Sequence, residues 1–424
     1  MQNLVVFPIK LYLRYTVLFT FMFFVSMEGL AQHSKIAIKN VTVFTRPDKK
    51  PIEKATVLIA AGKFKKITSR KNFNIPKDYK IINGEGKFVT AGFWNSHVHF
   101  IESKWNDAAH QSKDSLENKL MKMFSSRGFV YVFDLAQLNF KNLNILRTRI
   151  KRGEIKGPTI FAVGAPFTSK SPFYIEPLKL PELKTRSEVK KHIKKQLGNG
   201  ANGIKIWSAS PTGKTIDYLP TDLIREAAGI AKTNKIPLFA HPTDLKGVKN
   251  AVNNGVNILA HVPGDDQIVW DSVLVRKLVH QKVALIPTLK LYYWVEQMAG
   301  RDTGTSNLVH TTIDQLKVFN AAGGIVLFGT DVGYINDYDT SEEFEGMAAA
   351  GMNFDEILAS LTTNPAEKFN RLNNTGTIQY GKNADLVLLN RNPSTDPKHF
   401  SEVLLTIHNG EIIYKNKNLV LINQ

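Results

Sequence analysis

The middle of the chain alternates between short apolar runs and helical periodicity. The runs cover residues 88–93, 129–133, 159–163, 203–207, 236–240, 256–260, 283–287 and 324–328. A continuous apolar stretch of this length suits a parallel strand buried on both faces. Helical patterns lie between several of them. Leu223, Ala227 and Ala231 recur at i, i+4, i+8 behind Thr221 as N-cap, and Leu245, Val248 and Val252 follow Asp244, with Gly255 where a helix would end. Eight strands spaced by about 33 residues predict an α/β fold, a (β/α)8 TIM barrel rather than an open sheet.

The two ends read differently. Ile36, Ile38, Val41, Val43 and residues 56–60 form β-branched runs broken by Arg46-Pro47-Asp48 and Ala61-Gly62-Lys63. Residues 385–389, 402–407 and 411–414 read as strands too, the last two joined across Asn409-Gly410. The expected organisation is a barrel over 87–371 beside a small β-sandwich built from both termini, 32–86 plus 372–424.

Residues 1–31 stand apart. Lys10 and Arg14 precede an apolar run over 15–25, and Gly29 and Ala31 sit at the spacing of a small-x-small cleavage site. A bilayer span needs about 20 apolar residues, so the run predicts a secretory signal peptide cut after Ala31 and an exported protein, periplasmic or secreted, with no stable membrane anchor after cleavage.

The sequence contains no cysteine, which removes disulfides, zinc–thiolate sites, iron–sulfur clusters and cysteine nucleophiles. The net charge is +18, but the lysines are spread along the chain without interleaved aromatics, so no nucleic-acid partner is expected. Lys190, Lys191, Lys194 and Lys195 read as one exposed helical face.

Metal-competent residues end the predicted strands repeatedly. His97 and His99 close the first strand two residues apart, so both imidazoles face one side. Lys205 lies within the apolar fourth strand, His241 ends the fifth, His261 the sixth, and Asp331 follows the eighth. Singly, each has a structural explanation: a satisfied histidine, a snorkelling lysine, a capping aspartate. Jointly, they occupy the carboxyl ends of barrel strands, where such folds build their sites. The other seven histidines (His33, His110, His192, His280, His310, His399, His408) fall in loops, helices or terminal strands and read as structural or exposed.

These positions, the run from Gly86 to His99, the Thr363-Asn364-Pro365-Ala366-Glu367 segment and the Gly381-Lys382-Asn383-Ala384-Asp385-Leu386-Val387 return resemble the amidohydrolase superfamily of metal-dependent hydrolases. The resemblance implies two divalent metal ions, zinc first by ligand chemistry. It makes His97, His99 and Asp331 ligands of one, His241 and His261 ligands of the other, and Lys205 a bridge once carboxylated on its amine. Asn95 and Ala91 depart from the family pattern, which has aspartate and proline there. The implied reaction is attack of a metal-activated water on a carbonyl, with Asp331 as general base and acid and His261 polarising the carbonyl.

A lysine on the fourth strand resembles the binuclear, prolidase-like branch. It implies amide C–N hydrolysis in a small-molecule or dipeptide substrate, or an N-acyl amino acid. A deaminase or a cyclic-amide or lactone hydrolase is the alternative, and a catalytically inactive metal-binding relative the reading of another class. Loops 164–184 and 291–294 carry Tyr174 and Tyr292, candidates to meet a substrate carboxylate or carbonyl; packing of loop on barrel is the competing role. Asp265 and Asp266 are either exposed carboxylates or a site for a cationic group. A homo-oligomer remains open.

Overall fold

The computed structural model describes residues 35–419 and 421–422; the signal peptide expected over 1–31 lies outside the described residues. No helix among them is long and apolar enough to cross a membrane.

Eight parallel strands carry the middle of the chain: the first Phe93–Val98, the second Phe129–Asp134, the third Thr159–Ala162, the fourth Ile204–Trp207, the fifth Leu238–His241, the sixth Ile258–Ala260, the seventh Ala284–Ile286 and the eighth Ile325–Val326. They pair in chain order, three in one sheet and five in another. Isolated parallel bridges span both gaps, Phe167 with Ile206 and Val98 with Val332. Across the second gap the Ser96 amide donates to the Phe328 carbonyl at 2.7 Å and the His99 amide to that of Val332 at 2.8 Å. The arrangement is TIM-barrel-like, but the expected closed ladder is interrupted into three strands plus five, because the strands are short and the chain leaves extended geometry at their ends.

Period-2 alternation sorts the strand residues into two packing layers. Trp94, Phe133, Phe239, Ile258, Ala260, Ala284, Ile286 and Leu327 share one apolar cluster inside the strands. Val132, Ala240, Leu259, Leu285 and Phe328 belong to another, packed against the surrounding helices. Each apolar side chain so buried contributes about 1.5–3 kcal/mol. The helix Leu245–Asn253 is capped by Asp244, whose side chain accepts from the Gly247 amide. The helix Thr221–Asn234 has Pro220 in the cap position, so Thr221 is its first residue rather than its N-cap. Along Arg186–Gly198 the four lysines are exposed while Val189 and Ile193 are buried.

The expected strand over 88–93 is in fact two. Phe88–Ala91 joins the terminal sheet and Phe93 opens the first parallel strand. Gly92 makes the crossing: its amide donates to the Asp385 carbonyl at 2.9 Å, and a Cβ there would lie 2.5 Å from Val130 Cγ2. The terminal strands gather from both ends of the chain. They form one nine-stranded mixed sheet, because Ile36–Val43 pairs through its first half with Lys80–Asn83 and through its second with Phe88–Ala91. Leu386–Leu389 then continues it from the other end of the chain.

Asp385 fastens this sheet to the parallel strands. Its carboxylate accepts from Tyr131 Oη at 2.8 Å, Thr375 Oγ1 at 3.0 Å and the Asn409 amide at 2.8 Å, and pairs with His408 Nδ1 at 2.8 Å. His408 Nε2 in turn meets Thr159 Oγ1 at 2.9 Å. Burial raises the Asp385 pKa, but His408 and these hydrogen bonds outweigh it and hold the group below the usual carboxylate value. Its stabilisation is therefore present above pH ~4, the unfolded value, and lost as pH falls through the depressed folded value. Asp385→Ala should destabilise the fold by about 3 kcal/mol in denaturant titrations and flatten the acid limb of stability against pH; an unchanged acid limb would refute the assignment.

Candidate metal centre

The predicted ligands converge at the carboxyl ends of the strands, by three different local devices. Lys205 follows simple alternation: Ile204 and Ile206 pack outward, so Lys205 points in and is only 3% exposed. Asp331 follows Leu327 and Gly329 past the end of the eighth strand, in the left-handed region at a φ of 61°. Glycine is required at 329, because a Cβ would sit 2.4 Å from Ile286 Cγ2 and 2.9 Å from His97 Cβ. His97 and His99 depend on a register shift between Asn95 and Val98. That irregularity changes the parity of the first strand, so both imidazoles face the centre while Val98 packs outward.

His261 is the third case. Ala260 is inward, so regular extension would turn His261 out. Its φ of 139° breaks the alternation and returns the ring to the centre. Such a conformation costs a non-glycine residue about 1–3 kcal/mol and persists where its surroundings impose it.

His97, His261 and Asp331 present ligand atoms all within 4.8 Å of one another. Asp331 Oδ1 lies 3.1 Å from His97 Nε2 and 2.7 Å from His99 Nε2, yet it has no hydrogen-bond partner. Lys205 Nζ is 3.3 Å from His97 Nε2. His241 lies beside this group: its ring centroid is 4.7 Å from that of His261, it stacks on Trp207 at 3.8 Å, and Nε2 faces Tyr174 Oη at 3.4 Å. Nδ1 atoms of His97, His99 and His241 are buried without partners. Buried polar atoms are ordinarily paired. A set of imidazoles and a carboxylate that approach closely without bonding one another fits a divalent cation as the missing partner.

The electrostatics agree. Burial and the Lys205 charge pull His97 down to about 3. Burial and its neighbours hold His241 and His261 well below the normal histidine value, so all three are neutral, the state that ligates. For Asp331 burial opposes ionisation, but His97 and His99 outweigh it and keep the group a carboxylate. Burial lowers Lys205 to about 8, bringing its free amine within reach of neutral pH.

Several supporting residues escaped the sequence reading. Asp134, fully buried at the end of the second strand, places Oδ1 3.9 Å from His99 Nδ1; the apolar run over 129–133 stops just before it, which was the available signal. Thr288 Oγ1 is 2.6 Å from His261 Nδ1 and donates to the Pro287 carbonyl at 2.7 Å. Its single proton thus committed, it accepts from Nδ1–H and leaves the Nε2 lone pair for a metal. Asn95 replaces the family's aspartate and has a clear role. Its Oδ1 accepts from the His97 amide at 3.2 Å and the Thr330 amide at 3.3 Å, while Nδ2 donates to Thr330 Oγ1 at 2.8 Å.

A cavity of about 670 Å³ opens in front of these residues, lined by Tyr174, Trp207, Leu291 and Tyr334 among others. Residues 291–294 are not a loop but part of the helix Leu289–Met298. Tyr292 accordingly is buried, and its hydroxyl donates to the Val262 carbonyl, so it is not free to meet a substrate carboxylate.

With fold and site described, the comparisons identify the class. The amidohydrolase family model matches residues 88–413, and the chain belongs to that family of metal-dependent hydrolases acting on C–N bonds. No curated protein sequence matches it. Among solved structures it is similar to a candidate prolidase from Bifidobacterium longum (TM-score 0.78, 23% identity, 90% of this chain and 95% of that one). A Xaa-Pro dipeptidase with bound methionine matches with TM-score 0.75, 20% identity and coverage of 90% and 100%. Molinate hydrolase matches with TM-score 0.73, 18% identity and coverage of 90% and 95%. At these identities the likeness establishes the fold.

Removing the Thr288 hydroxyl frees the His261 ring to rotate. Thr288→Ala should weaken metal affinity by about 10–100-fold in chelator competition, with little change in secondary structure; an unaltered affinity would exclude Thr288 as the positioning residue.

Proposed function

We propose that the chain hydrolyses an amide C–N bond of a small substrate, with His97, His99, Lys205, His241, His261 and Asp331 holding two divalent metal ions, zinc first. The observation that carries this reading is the buried group of His97, His261 and Asp331, close together yet without mutual hydrogen bonds. When bound, such ions polarise the substrate carbonyl and lower the pKa of water toward about 7.

The protein residues supply the rest. A water adds to the carbonyl carbon, and Asp331 takes its proton. As the C–N bond breaks, Asp331 returns that proton to the leaving nitrogen. His261, fixed by Thr288, keeps its Nε2 lone pair for an ion, and the Tyr174 hydroxyl beside His241 is a donor within the cavity. Lys205 binds as its carbamate: burial lowers its pKa to about 8, so a useful fraction is the free amine that adds carbon dioxide. A dipeptide or an N-acyl amino acid is the sequence-based expectation for the amide, and the cavity has room for either. Deamination and lactone or cyclic-amide opening use the same residues and remain the second reading.

The protein is also proposed to be exported, on the basis of Lys10, Arg14, the apolar run over 15–25 and the Gly29/Ala31 spacing. Sequencing the amino terminus of protein from its own cell should give Gln32; an intact Met1 would contradict export by cleavage.

Asp331→Asn should lower kcat by between about 10²- and 10⁴-fold on an amide panel while most metal stays bound. Lys205→Ala should take elemental content from near two ions per chain to one or fewer. Retained turnover in the first variant, or unchanged metal in the second, would overturn the corresponding role.

A further inference from the structure

Away from the metal ligands, the charged side chains of the cavity have the wrong sense for a carboxylate. Apart from the imidazoles, Lys205 is the only cationic side chain in its lining. It is 3% exposed and 3.3 Å from His97 Nε2, inside the ligand group rather than available to a substrate. Besides Asp331, two acids, Glu176 and Asp265, line the cavity. Burial and the neighbouring Asp244 raise Asp265 to about 6, consistent with negative charge already crowded on that side. Of the two tyrosines expected to receive a carboxylate, Tyr292 donates to the Val262 carbonyl, which leaves only the Tyr174 hydroxyl, 3.4 Å from His241 Nε2.

The remaining wall is apolar and continues out to the mouth. Phe173 is 53% exposed, Leu138 43%, and Leu178 and Tyr334 38% each, and all four belong to the lining. Exposed apolar side chains gathered around one opening mark a binding surface rather than ordinary scatter. A substrate whose apolar group extends from the cavity to this rim would remove them from water.

Resting on the amide-hydrolase reading, we infer that the preferred substrate is an amide without a free carboxylate, bearing a bulky apolar group that fills the cavity and reaches its rim. Dipeptides and N-acyl amino acids then become poor substrates, because away from the metal ligands their carboxylate would meet Glu176 and Asp265 and no cationic side chain. Uncharged aryl or branched-alkyl amides take their place.

Matched pairs test this. The compounds are N-benzoyl-leucine against N-isopentylbenzamide, and leucyl-proline against leucyl-prolinamide. kcat/KM is measured on the zinc-loaded protein, and dissociation constants of the same compounds by calorimetry on Asp331→Asn loaded with zinc. The neutral member of each pair should be favoured by at least about tenfold in both readouts. Asp265→Lys should narrow that gap at least about threefold by improving the carboxylate member. Equal or better performance of the carboxylate members, or no binding by either member, overturns the inference. Tighter binding of the neutral members with no turnover of any compound supports the substrate class and overturns amide hydrolysis instead.

Discussion

Four imidazoles, a lysine and a carboxylate meet at the floor of the cavity, and several of their polar atoms have no partner within the protein. Unpaired polar groups buried in this way cost about 1–3 kcal/mol each. A cation that accepts their lone pairs turns that cost into binding energy, and it explains why atoms such as Asp331 Oδ1 and His99 Nε2 stand 2.7 Å apart without a hydrogen bond. Much of the surrounding structure serves this convergence. Asn95 ties the first strand to Thr330, Thr288 sets the His261 ring, Trp207 backs His241, and Gly329 lets the eighth strand approach His97.

The molecule separates chemistry from recognition. Ligands sit on or immediately after strands whose neighbours are packed on both faces, so their positions are stiff. The cavity wall instead comes from the segment after the third strand, the residues after His261 and the helix Leu289–Met298. Those parts can vary without disturbing the centre, the usual division of labour in this architecture. Charge follows the same division. A strongly basic chain encloses a cavity lined by three acids, Glu176, Asp265 and Asp331, so its overall charge says nothing about what enters the site.

The terminal sheet contributes through Asp385. Its hydrogen bonds reach the second strand through Tyr131, and His408 extends the connection to Thr159 on the third. The histidine that the sequence pattern assigned a structural place is thus part of the joint between the sheet and the parallel strands. The sheet holds the strand entrances while the metal centre occupies the opposite ends.

Local patterning was enough to locate most of the parallel strands, the capped helix after Asp244 and both β-rich termini, because buried strands must be apolar, and it singled out six candidate ligands of the types left where cysteine is lacking. Alternation alone also orients Lys205 correctly. It could not orient His97, His99 or His261. The first two face inward through a register shift, and the third through a φ of 139°. Both are departures from regular geometry that neighbouring strands impose and residue identity does not encode. The same limit applies to Tyr292, whose place on a helix commits its hydroxyl to Val262, and to the split at Gly92, where close approach to Val130 decides which sheet the chain enters. Composition and periodicity determined which elements and which chemistry are present; contacts between residues distant in sequence decided which side chains meet.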